Sequence, residues 1–562
     1  MTFSEPSSVS SPVVGHLRVR HLLALYAAAM LLRWLVAPTH NLAEDSFELI
    51  ESGKHLWQTG EYRVPDIGGP GSSGPDMVLH YRLPSWPVGF PLALAGIFSL
   101  FGADESVARF FTIACSSLLA PITAGIAFVW LGRAGIAVAA GLLAAIHPLA
   151  LAFGGQVFTN NLSVSIFFVA VYCLLSSLVR EPGGPFLSYP QVAAAPHRLV
   201  RFGVAFLAFG LMLAVRDTDL MLMPVALYLL WRARMGEPLS KPRTADWRPW
   251  GALLLIAGTA LLIGWSPSLY FNLVNFGSPL VSTHYQTGIR LSLDFLLRGS
   301  DALMGAPGLF VMGLAFALYH FPFFLALVLL RSSWPTFAPM AVMGLLVVMP
   351  ILLVHGAFPV SATGAAPRYV LPLVPFTAIL AACAVPWLWR NQTYRIAGIF
   401  AVTVVAWLAV LTYPPSILFQ AWPRLAYLTY YAPAYVASPY HNYPDHINAM
   451  VQWVRDHTPE DAVIVTPSRA HHFYYYSKRA VVVMDTFVPA ALKDEQWKDL
   501  AAKRLVYLVE DNKLAVHAEQ VDVFKRSLHD VGMRLEPIGS VPSFSPEVGD
   551  TVMHVYQIVP FS

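Results

Sequence analysis

Long apolar runs separated by short polar segments dominate the chain up to residue 413. Because roughly 20 consecutive apolar residues cross the hydrocarbon core of a bilayer, runs of this length indicate membrane-spanning helices. The pattern predicts about eleven of them, so the termini would lie on opposite sides of the membrane. The predicted spans cover residues 22–37, 106–131, 135–152, 161–179, 201–215, 220–232, 250–268, 306–330, 335–355, 369–389 and 394–413.

The apolar segment 84–101 is predicted not to span. It contains Pro84, Pro87 and Pro91, which disfavour a regular spanning helix because proline lacks the backbone N–H donor. An interfacial helix lying along the outer membrane surface is the better interpretation. If it spanned, every later loop would change sides and the charge bias described below would reverse.

After residue 413 the chain changes character. Residues 414–440 are rich in Pro, Tyr and Ala and predict a linker. From there helical and strand patterns alternate, which favours a small soluble α/β domain compatible with parallel strands. The predicted organisation is therefore a membrane domain (1–413, with the outer loop 38–105), a linker (414–440) and an extracytoplasmic domain (441–562). The elements of the extracytoplasmic domain are predicted as helices near 445–457, 489–503 and 514–530, and strands near 462–466, 480–484, 505–510, 533–538 and 551–558.

Composition agrees with a multi-pass membrane protein. Of 562 residues, 56% are hydrophobic and 12% charged, and the mean hydropathy is +0.56. Soluble domains carry roughly twice that charged fraction. The net charge of +3 is too small to suggest nucleic acid as a partner. Cys115, Cys173 and Cys383 all fall in apolar runs, so neither a disulfide framework nor a CxxC metal site is indicated.

Orientation follows from the Lys and Arg residues of the loops. Arg18 and Arg20 precede the first apolar run, which could mimic a signal peptide, but no clear small-residue cleavage site follows it. With the N-terminus inside, the inner segments carry twice as many Lys and Arg residues as the outer membrane loops. We therefore predict a protein of the cell (plasma or inner) membrane with a cytoplasmic N-terminus and an extracytoplasmic C-terminal domain.

An acidic pair, Glu44-Asp45, follows the first span. It could be a solvated loop start or a helix N-cap before Ser46. The functional interpretation is that one carboxylate acts as general base, because a sugar acceptor hydroxyl has a high pKa and needs a nearby carboxylate to take its proton. Neighbouring carboxylates also raise one another's pKa, which suits a base near neutral pH. The sequence does not distinguish Glu44 from Asp45.

Three arginines are predicted at the same outer face. Arg82 follows His80-Tyr81, and could be either a membrane anchor or a phosphate ligand. Arg216 lies in a short charged turn with Asp217 and Asp219, where an internal ion pair is the alternative to a site. Arg368 precedes Tyr369 at the start of a span. Three arginines near two carboxylates would suit a site in which the arginines bind a phosphate leaving group and a carboxylate acts as the base.

These segments resemble the GT-C superfamily of polyprenyl-phosphate-sugar-dependent glycosyltransferases, in particular the protein mannosyltransferase-like and aminoarabinose-transferase-like enzymes. The order and spacing of the motifs make the resemblance, which spans nearly the whole chain. The C-terminal patterns INAMVQWVRDHTPEDAVIVT and YYYSKRAVVVMD also look like the outer domain of such enzymes. The motifs of the membrane part are EDSFELIESGKHLWQTGEYR, HYRLPSWPVGFPLALAGIFSLFGADESVARF, FGLMLAVRDTDLMLMP, YFNLVNFGSPL and PRYVLPLVPF.

The resemblance implies roles for individual residues. It places Asp45, with Glu44 as rival, at the position of the catalytic base, and Arg82, Arg216 and Arg368 at basic positions near the donor phosphate. The remaining candidates for contact with the sugar or acceptor are His80, Tyr81, Asn160, Asn161, His284 and Tyr369.

One departure from the family pattern concerns the second outer loop, where relatives often carry a second acidic residue. Here Asn160 and Asn161 occupy that place. An amide can hydrogen-bond a sugar but cannot accept its proton, which leaves more weight on Glu44 and Asp45.

A metal is not required by this reading. Arginines can neutralise a lipid-phosphate leaving group without one, so a divalent cation at Glu44 and Asp45 stays open. His471-His472 in the soluble domain could bind metal, but adjacent histidines rarely converge without a carboxylate partner.

The sequence thus predicts a membrane glycosyltransferase that moves a sugar from a polyprenyl-monophosphate donor to a glycan, lipid or protein acceptor, with inversion at the anomeric carbon. A lipid-linked glycan transporter or flippase is the alternative from another class. It would need ionisable residues within spans or internal repeats. A non-catalytic protein of cell-envelope assembly is a third. Loss of activity on mutation of Glu44 or Asp45 would separate it from an enzyme.

Overall fold

The computed structural model gives the architecture of most of the chain. It describes residues 16–36, 44–65, 81–84, 86–187, 189–235, 248–280, 338–347, 371–390, 446–466, 473–483, 501–502, 505–511, 515–545 and 549–561.

Helices account for most of the described residues before 390. The helices, numbered in chain order, are α1 (Val19–Val36), α2 (Glu44–Thr59), α3 (Gly89–Phe101), α4 (Glu105–Ser117), α5 (Leu119–Leu131), α6 (Ala134–Ile146), α7 (Pro148–Gly154), α8 (Thr159–Leu178), α9 (Tyr189–Ala193), α10 (Pro196–Val215), α11 (Met223–Met235), α12 (Arg248–Phe276), α13 (Ala338–Val347), α14 (Val374–Arg390), α15 (His446–His457) and α16 (Ala515–Asp530). The strands are β1 (Val64–Pro65), β2 (Tyr81–Arg82), β3 (Val463–Thr466), β4 (Ala480–Val483), β5 (Val506–Asp511), β6 (Met533–Ser545) and β7 (Gly549–Pro560).

Several helices have the length and composition of membrane spans, and the chain is a multi-pass membrane protein. Within the described ranges, four stretches are long and apolar enough to cross a bilayer: Glu105–Leu131, Thr159–Leu178, Pro196–Val215 and Gly251–Phe276. The predicted spans 306–330 and 394–413 lie outside the described residues. The count of about eleven therefore stays a prediction.

Three predicted spans depart from a regular α-helix. The run 106–131 forms α4 and α5, which are joined by Leu118 in helical conformation (φ −59°, ψ −23°), and Pro121 supplies no N–H donor to the carbonyl four residues earlier. The run 135–152 breaks at His147, which precedes Pro148 and is extended with ψ 128°. The run 220–232 begins as a 3₁₀ turn, Asp217–Leu222, before α11.

One helix is longer than expected. The prediction ended the seventh span at residue 268, next to Pro267, but α12 continues through this proline to Phe276. Neighbouring groups in a helix bundle can satisfy a carbonyl that a proline leaves without a donor, so a membrane helix tolerates an internal proline.

The chain divides into two compact units. The first contains Met1–Ala37, Trp86–Phe90 and Arg109–Trp422, and the second contains Pro38–Ser85, Pro91–Ala108 and Pro423–Ser562. The predicted boundaries at 413 and 441 stay a prediction.

In the first unit, small and aromatic residues pack the helices together. α10 packs against α8 and α12, and α1 packs against α5 and α6. Gly210 of α10 and Gly264 of α12 let the two backbones approach closely, since a Cβ on either would overlap a carbonyl oxygen of the other helix. Phe167, Phe168 and other buried phenylalanines fill the space around α8.

In the second unit, a five-stranded sheet has the order β4-β3-β5-β7-β6. β3 pairs in parallel with β4 and β5, as the α/β pattern predicted, while β7 pairs antiparallel with both β5 and β6. Apolar residues lie on both faces. One face packs against α15 around Phe473, and the other packs against α16 around Phe524.

The same unit holds the beginning of the predicted outer loop. α2 lies against α3 at Gly53, where an added Cβ would come within 2.9 Å of the Leu94 Cβ. β1 and β2 form a short antiparallel pair that joins residues before and after the undescribed segment 66–80. The proline-containing segment 84–101 carries the 13-residue helix α3, and its place at the membrane surface stays a prediction.

Candidate functional site

The predicted acidic pair begins helix α2. Glu44 and Asp45 are its first two residues, so they stand at the positive end of the helix dipole, which stabilises negative charge. The side chains of both residues are outside the described part of the structure. The helix itself is firmly packed, because Phe47, Leu49 and Ile50 directly after the pair are buried.

The second predicted group is on strand β2. Arg82 pairs with Val64 and Tyr81 with Pro65 of strand β1. This pairing fixes the backbone of the two candidates, while their side chains lie outside the described part. The preceding His80 also lies outside the described residues.

Arg216 lies at the end of α10, where the sequence predicted either a phosphate ligand or an internal ion pair. Its Nη1 is 3.4 Å from Oδ1 of Asp219, so the pair exists. The Ser163 hydroxyl on α8 donates a hydrogen bond of 2.5 Å to the other carboxyl oxygen, Oδ2. The 3₁₀ turn brings Asp219 back onto Arg216, three residues earlier.

Burial dominates the electrostatics of this cluster. The desolvation of Asp219 raises the pKa of its carboxyl above the ordinary value of 3.8, while Arg216 and the hydrogen bond from Ser163 oppose the shift. The cluster therefore holds a carboxyl group that accepts a proton more readily than an exposed aspartate does.

The two asparagines of the second predicted outer loop have different environments. The Asn161 amide donates to the carbonyl oxygens of Phe153 and Gln156, both at 2.8 Å, and so closes the turn between α7 and α8. The neighbouring Asn160 amide nitrogen is buried and has no hydrogen-bond partner among the described residues. Asn160 stands one helical turn before Ser163, so the two residues share a face of α8.

The remaining predicted site residues, His284, Arg368 and Tyr369, lie outside the described residues. So do His471 and His472. Among the described residues, no three His, Cys, Asp or Glu side chains lie close enough together to hold a metal ion. This statement does not extend to the carboxyl groups of Glu44 and Asp45, which lie outside the described part of the structure.

Arg33 is a buried charge that the sequence analysis missed. The side chain of Arg33 in α1 is 0% exposed, and only its Nη1 is paired, at 3.2 Å from the carbonyl oxygen of Ala29. Nε and Nη2 have no hydrogen-bond partner in the described part of the chain. The side chain passes Gly154, where a Cβ would come within 2.8 Å of Nε and 3.0 Å of the Ser116 hydroxyl. An arginine inside the first apolar run was the signal for this residue.

The structure thus sorts the predicted residues into two groups. Asn160, Asn161 and Arg216 belong to the first unit, together with Arg33. Glu44, Asp45, Tyr81 and Arg82 belong to the second unit.

Comparison with solved structures identifies the fold. The crystal structure of ArnT from Cupriavidus metallidurans bound to undecaprenyl phosphate matches with a TM-score of 0.53 and 16% identity, covering 96% of this chain and 98% of that one. The apo state of the same protein matches with a TM-score of 0.51 and 15% identity, covering 95% and 97%. ArnT is a member of the GT-C superfamily, so the predicted GT-C resemblance is confirmed at the level of the fold.

Other comparisons add little. The archaeal oligosaccharyltransferase AglB from Archaeoglobus fulgidus, in complex with an inhibitory peptide and a dolichol-phosphate, matches with a TM-score of 0.49 and 13% identity, covering 91% of this chain and 71% of that one. A family model described as a domain of unknown function (DUF6798) matches residues 445–491. None of the curated proteins matches the sequence significantly.

Proposed function

We propose that this protein is a membrane glycosyltransferase that transfers a sugar from a polyprenyl-monophosphate donor to an acceptor hydroxyl at the outer face of the membrane. The observation that carries the proposal is the likeness of fold to ArnT, which extends over 96% of this chain and 98% of that one. That protein was crystallised with undecaprenyl phosphate, which is a polyprenyl monophosphate. We extend this class of lipid to the donor of the present chain.

The acidic pair supplies the base of the proposed reaction. Asp45, with Glu44 as the alternative, takes the proton from the acceptor hydroxyl as its oxygen attacks the anomeric carbon of the sugar. The bond between that carbon and the phosphate oxygen breaks, and the electron pair leaves with the lipid phosphate. Attack from the side opposite the leaving group inverts the anomeric carbon through an oxocarbenium-like transition state.

Arginines stabilise the departing phosphate in this proposal. Arg82, Arg216 and Arg368 are the candidates, because a guanidinium group pairs with phosphate oxygens through two parallel hydrogen bonds. For Arg216 the Asp219 carboxylate, 3.4 Å from its Nη1, competes with the phosphate. Arg216 would therefore bind a phosphate most readily when Asp219 is protonated.

The remaining polar candidates would contact the sugar or the acceptor. Asn160 fits this role best among the described residues, since its amide nitrogen is buried without a hydrogen-bond partner. We place Tyr81, His80, His284 and Tyr369 in the same group because the sequence predicts them in outer loops or at the outer start of a span. The Asn161 amide already donates both its hydrogen bonds within the α7–α8 turn.

A transporter or flippase of lipid-linked glycans is the second candidate. The observation that favours it is Arg33, a fully buried charge within an apolar helix with two unpaired nitrogens. Ionisable residues inside membrane helices often mark transport pathways.

Sugar transfer by the purified protein in nanodiscs tests the proposal. A panel of radiolabelled polyprenyl-phosphate sugars is offered with a cell-envelope extract as acceptor. We expect transfer by the wild type and its loss, by roughly 100-fold or more, in Asp45→Asn or Glu44→Gln. Donor binding, measured separately, is retained in both variants because the base acts on the acceptor.

Glu61→Gln is the matched control, since Glu61 is an exposed carboxylate two residues beyond the end of α2. It should transfer sugar like the wild type. Transfer from no donor, with both acidic variants indistinguishable from the wild type, would contradict the enzyme. Donor flipping by the wild type in sealed proteoliposomes, abolished in Arg33→Met, would then support the transporter.

A further inference from the structure

A short π-helical segment of the C-terminal region, Phe473–Ser477, packs against the five-stranded sheet and α15. We name residues 473–479 the tyrosine turn. Phe473 is 0% exposed in the apolar cluster under α15. The buried Arg479 side chain donates to the carbonyl oxygens of Ser477 (2.9 Å), Thr458 (2.8 Å) and Arg455 (3.0 Å). Arg479 thereby ties the turn to the last carbonyls of α15, where a cation is also favoured by the helix dipole.

The tyrosine turn presents aromatic rings to helix α2. The Phe47 ring lies 4.9 Å from the Tyr475 ring at 51° and 5.5 Å from the Tyr476 ring at 84°. Both distances are within the range of favourable tilted and edge-to-face contacts. Because Phe47 is only 1% exposed, this contact is a packed core and not a surface encounter.

Lys478 adds a charged group to the contact around Tyr475. The Lys478 ammonium lies 4.7 Å from the centre of the Tyr475 ring. Burial lowers the pKa of Lys478 from its usual value, while the negative charges of Glu51, Asp104 and Glu105 oppose this shift and the like charge of Lys54 adds to it. Lys478 has φ +56°, in the left-handed region that non-glycine residues seldom adopt. A strained backbone conformation persists only where the surrounding structure holds it in place, and such positions, like π-helical turns, are frequent at functional sites.

Helix α2 also packs closely against helix α3. Gly53 lies so close to α3 that a Cβ there would come within 3.3 Å of the Pro91 carbonyl oxygen. Phe47 fixes the first turns of α2, and Gly53 fixes its middle. A helix constrained at two points six residues apart cannot shift along or rotate about its axis without breaking one contact.

From these contacts we infer that the tyrosine turn is a positioning element, which fixes helix α2 so that the carboxylates at its start are held in place for sugar transfer. Phe47 is two residues from Asp45 and three from Glu44, hence within one turn of both on the same helix. The inference rests on the proposed function for what the carboxylates do. It assigns a role to the segment 473–479 within the domain of unknown function at 445–491.

The experiment combines kinetics with hydrogen exchange in the full-length protein. Phe47→Ala and Tyr475→Ala remove one ring each from the contact. We expect faster amide exchange over residues 46–59 in both, and kcat lowered roughly 10- to 100-fold, because misplacing a catalytic group by about 1 Å costs that much. The donor KM should stay within about twofold of the wild-type value, since these residues hold the base and not the donor.

Two control variants separate positioning from general loss of stability. Tyr475→Phe keeps the ring that Phe47 and Lys478 contact. It should therefore retain both the slow exchange and the kcat of the wild type. Phe524→Leu weakens the apolar cluster on the other face of the sheet, around α16, and should leave exchange at residues 46–59 unchanged.

Each other outcome overturns the inference. Unchanged exchange over residues 46–59 in Phe47→Ala would show that the turn does not hold α2. Faster exchange with unchanged kcat would show that the contact stabilises α2 without affecting catalysis. If the wild type transfers no sugar, the proposed function itself fails and the positioning role fails with it, while the exchange data still report whether the turn holds the helix.

Discussion

A carboxyl group and an arginine are removed from water together at the end of α10. Asp219 and Arg216 are both buried, and Ser163 supplies a hydrogen bond from another helix. Burying a charge costs free energy that a partner offsets only in part. The cluster is therefore sensitive to protonation, which distinguishes it from an exposed ion pair.

The stability of the protein should depend on pH through Asp219. Its pKa is raised in the folded state, so the folded protein binds the proton more tightly than the unfolded chain does. This group therefore adds to the free energy of unfolding as the pH falls through the folded pKa, fully below 3.8, and the contribution is lost as the pH rises. Asp219→Asn lacks this titration. We expect the thermal midpoint of the wild type, relative to that of Asp219→Asn, to rise as the pH is lowered from about 8 to about 4.

Ser163→Ala provides the matched comparison for this titration. The Ser163 hydrogen bond lowers the Asp219 pKa, so its removal should move the pH dependence to higher pH. A difference in midpoint between wild type and Asp219→Asn that stays constant with pH would contradict the prediction.

At the level of residues, the sequence indicated part of the cluster. The pairing of Arg216 with Asp217 or Asp219 was one of the predicted alternatives, because charges in so short a turn near lipid usually face a cavity or one another. Ser163 could not be predicted, because it reaches Asp219 from 56 positions away through the packing of α8 against α10. Whether Arg82 or Arg368 binds phosphate stays a prediction.

At the level of elements, glycines determine how closely α10 and α12 pack. A Cβ at Gly210 would overlap the Leu261 carbonyl oxygen, and one at Gly264 would overlap that of Leu207. Backbone atoms cannot move aside as a flexible side chain can. A Cβ at Gly258, also on α12, would meet no described atom within 4 Å.

The three glycines should therefore respond differently to alanine. Gly210→Ala and Gly264→Ala should each lower the free energy of unfolding by about 1–3 kcal/mol, because the two helices must separate. Gly258→Ala should be neutral or stabilising by up to about 1 kcal/mol, because alanine favours a helix and meets no neighbour. Thermal midpoints of the three variants in one detergent check this, and three equal midpoints would contradict it.

The elements of the C-terminal sheet were predicted more closely than the spans. Strands β3, β4 and β5 begin and end within one residue of prediction, since short apolar runs between turn residues mark them clearly. β6 was expected to end near 538 but continues to Ser545 with a bulge between Pro537 and Gly539. In the described sheet β6 pairs only with β7, so its other edge needs no N–H donors and tolerates prolines.

At the level of the whole molecule, the sequence predicted the GT-C fold from the order of weak motifs. It could not predict that the predicted outer loop groups with the C-terminal region in one compact unit, because Phe47 and Tyr475 are more than 400 residues apart. Local periodicity carries no information about such a contact.

The proposed orientation has a direct test. Glu181, between α8 and α9, and Glu460, between α15 and β3, are exposed, and the charge bias puts them on opposite sides of the membrane. In sealed right-side-out vesicles, a membrane-impermeant maleimide should label Glu460→Cys readily and Glu181→Cys only after permeabilisation. The wild type controls for its own thiols, of which Cys115 and Cys383 are buried. Labelling of both variants from the same side would contradict the orientation.

The strand order also constrains how the chain is made. β7, at residues 549–560, lies between β5 and β6 and pairs with both, so it is the strand that joins β6 to the rest of the sheet. During synthesis, β3, β4 and β5 can pair while β6 still has no place to attach. The sheet closes only after residue 560 has left the ribosome, when the membrane helices before residue 390 have long been available for insertion. A premature stop before residue 549 would thus give an inserted protein whose sheet never closes, a natural substrate for quality-control proteases.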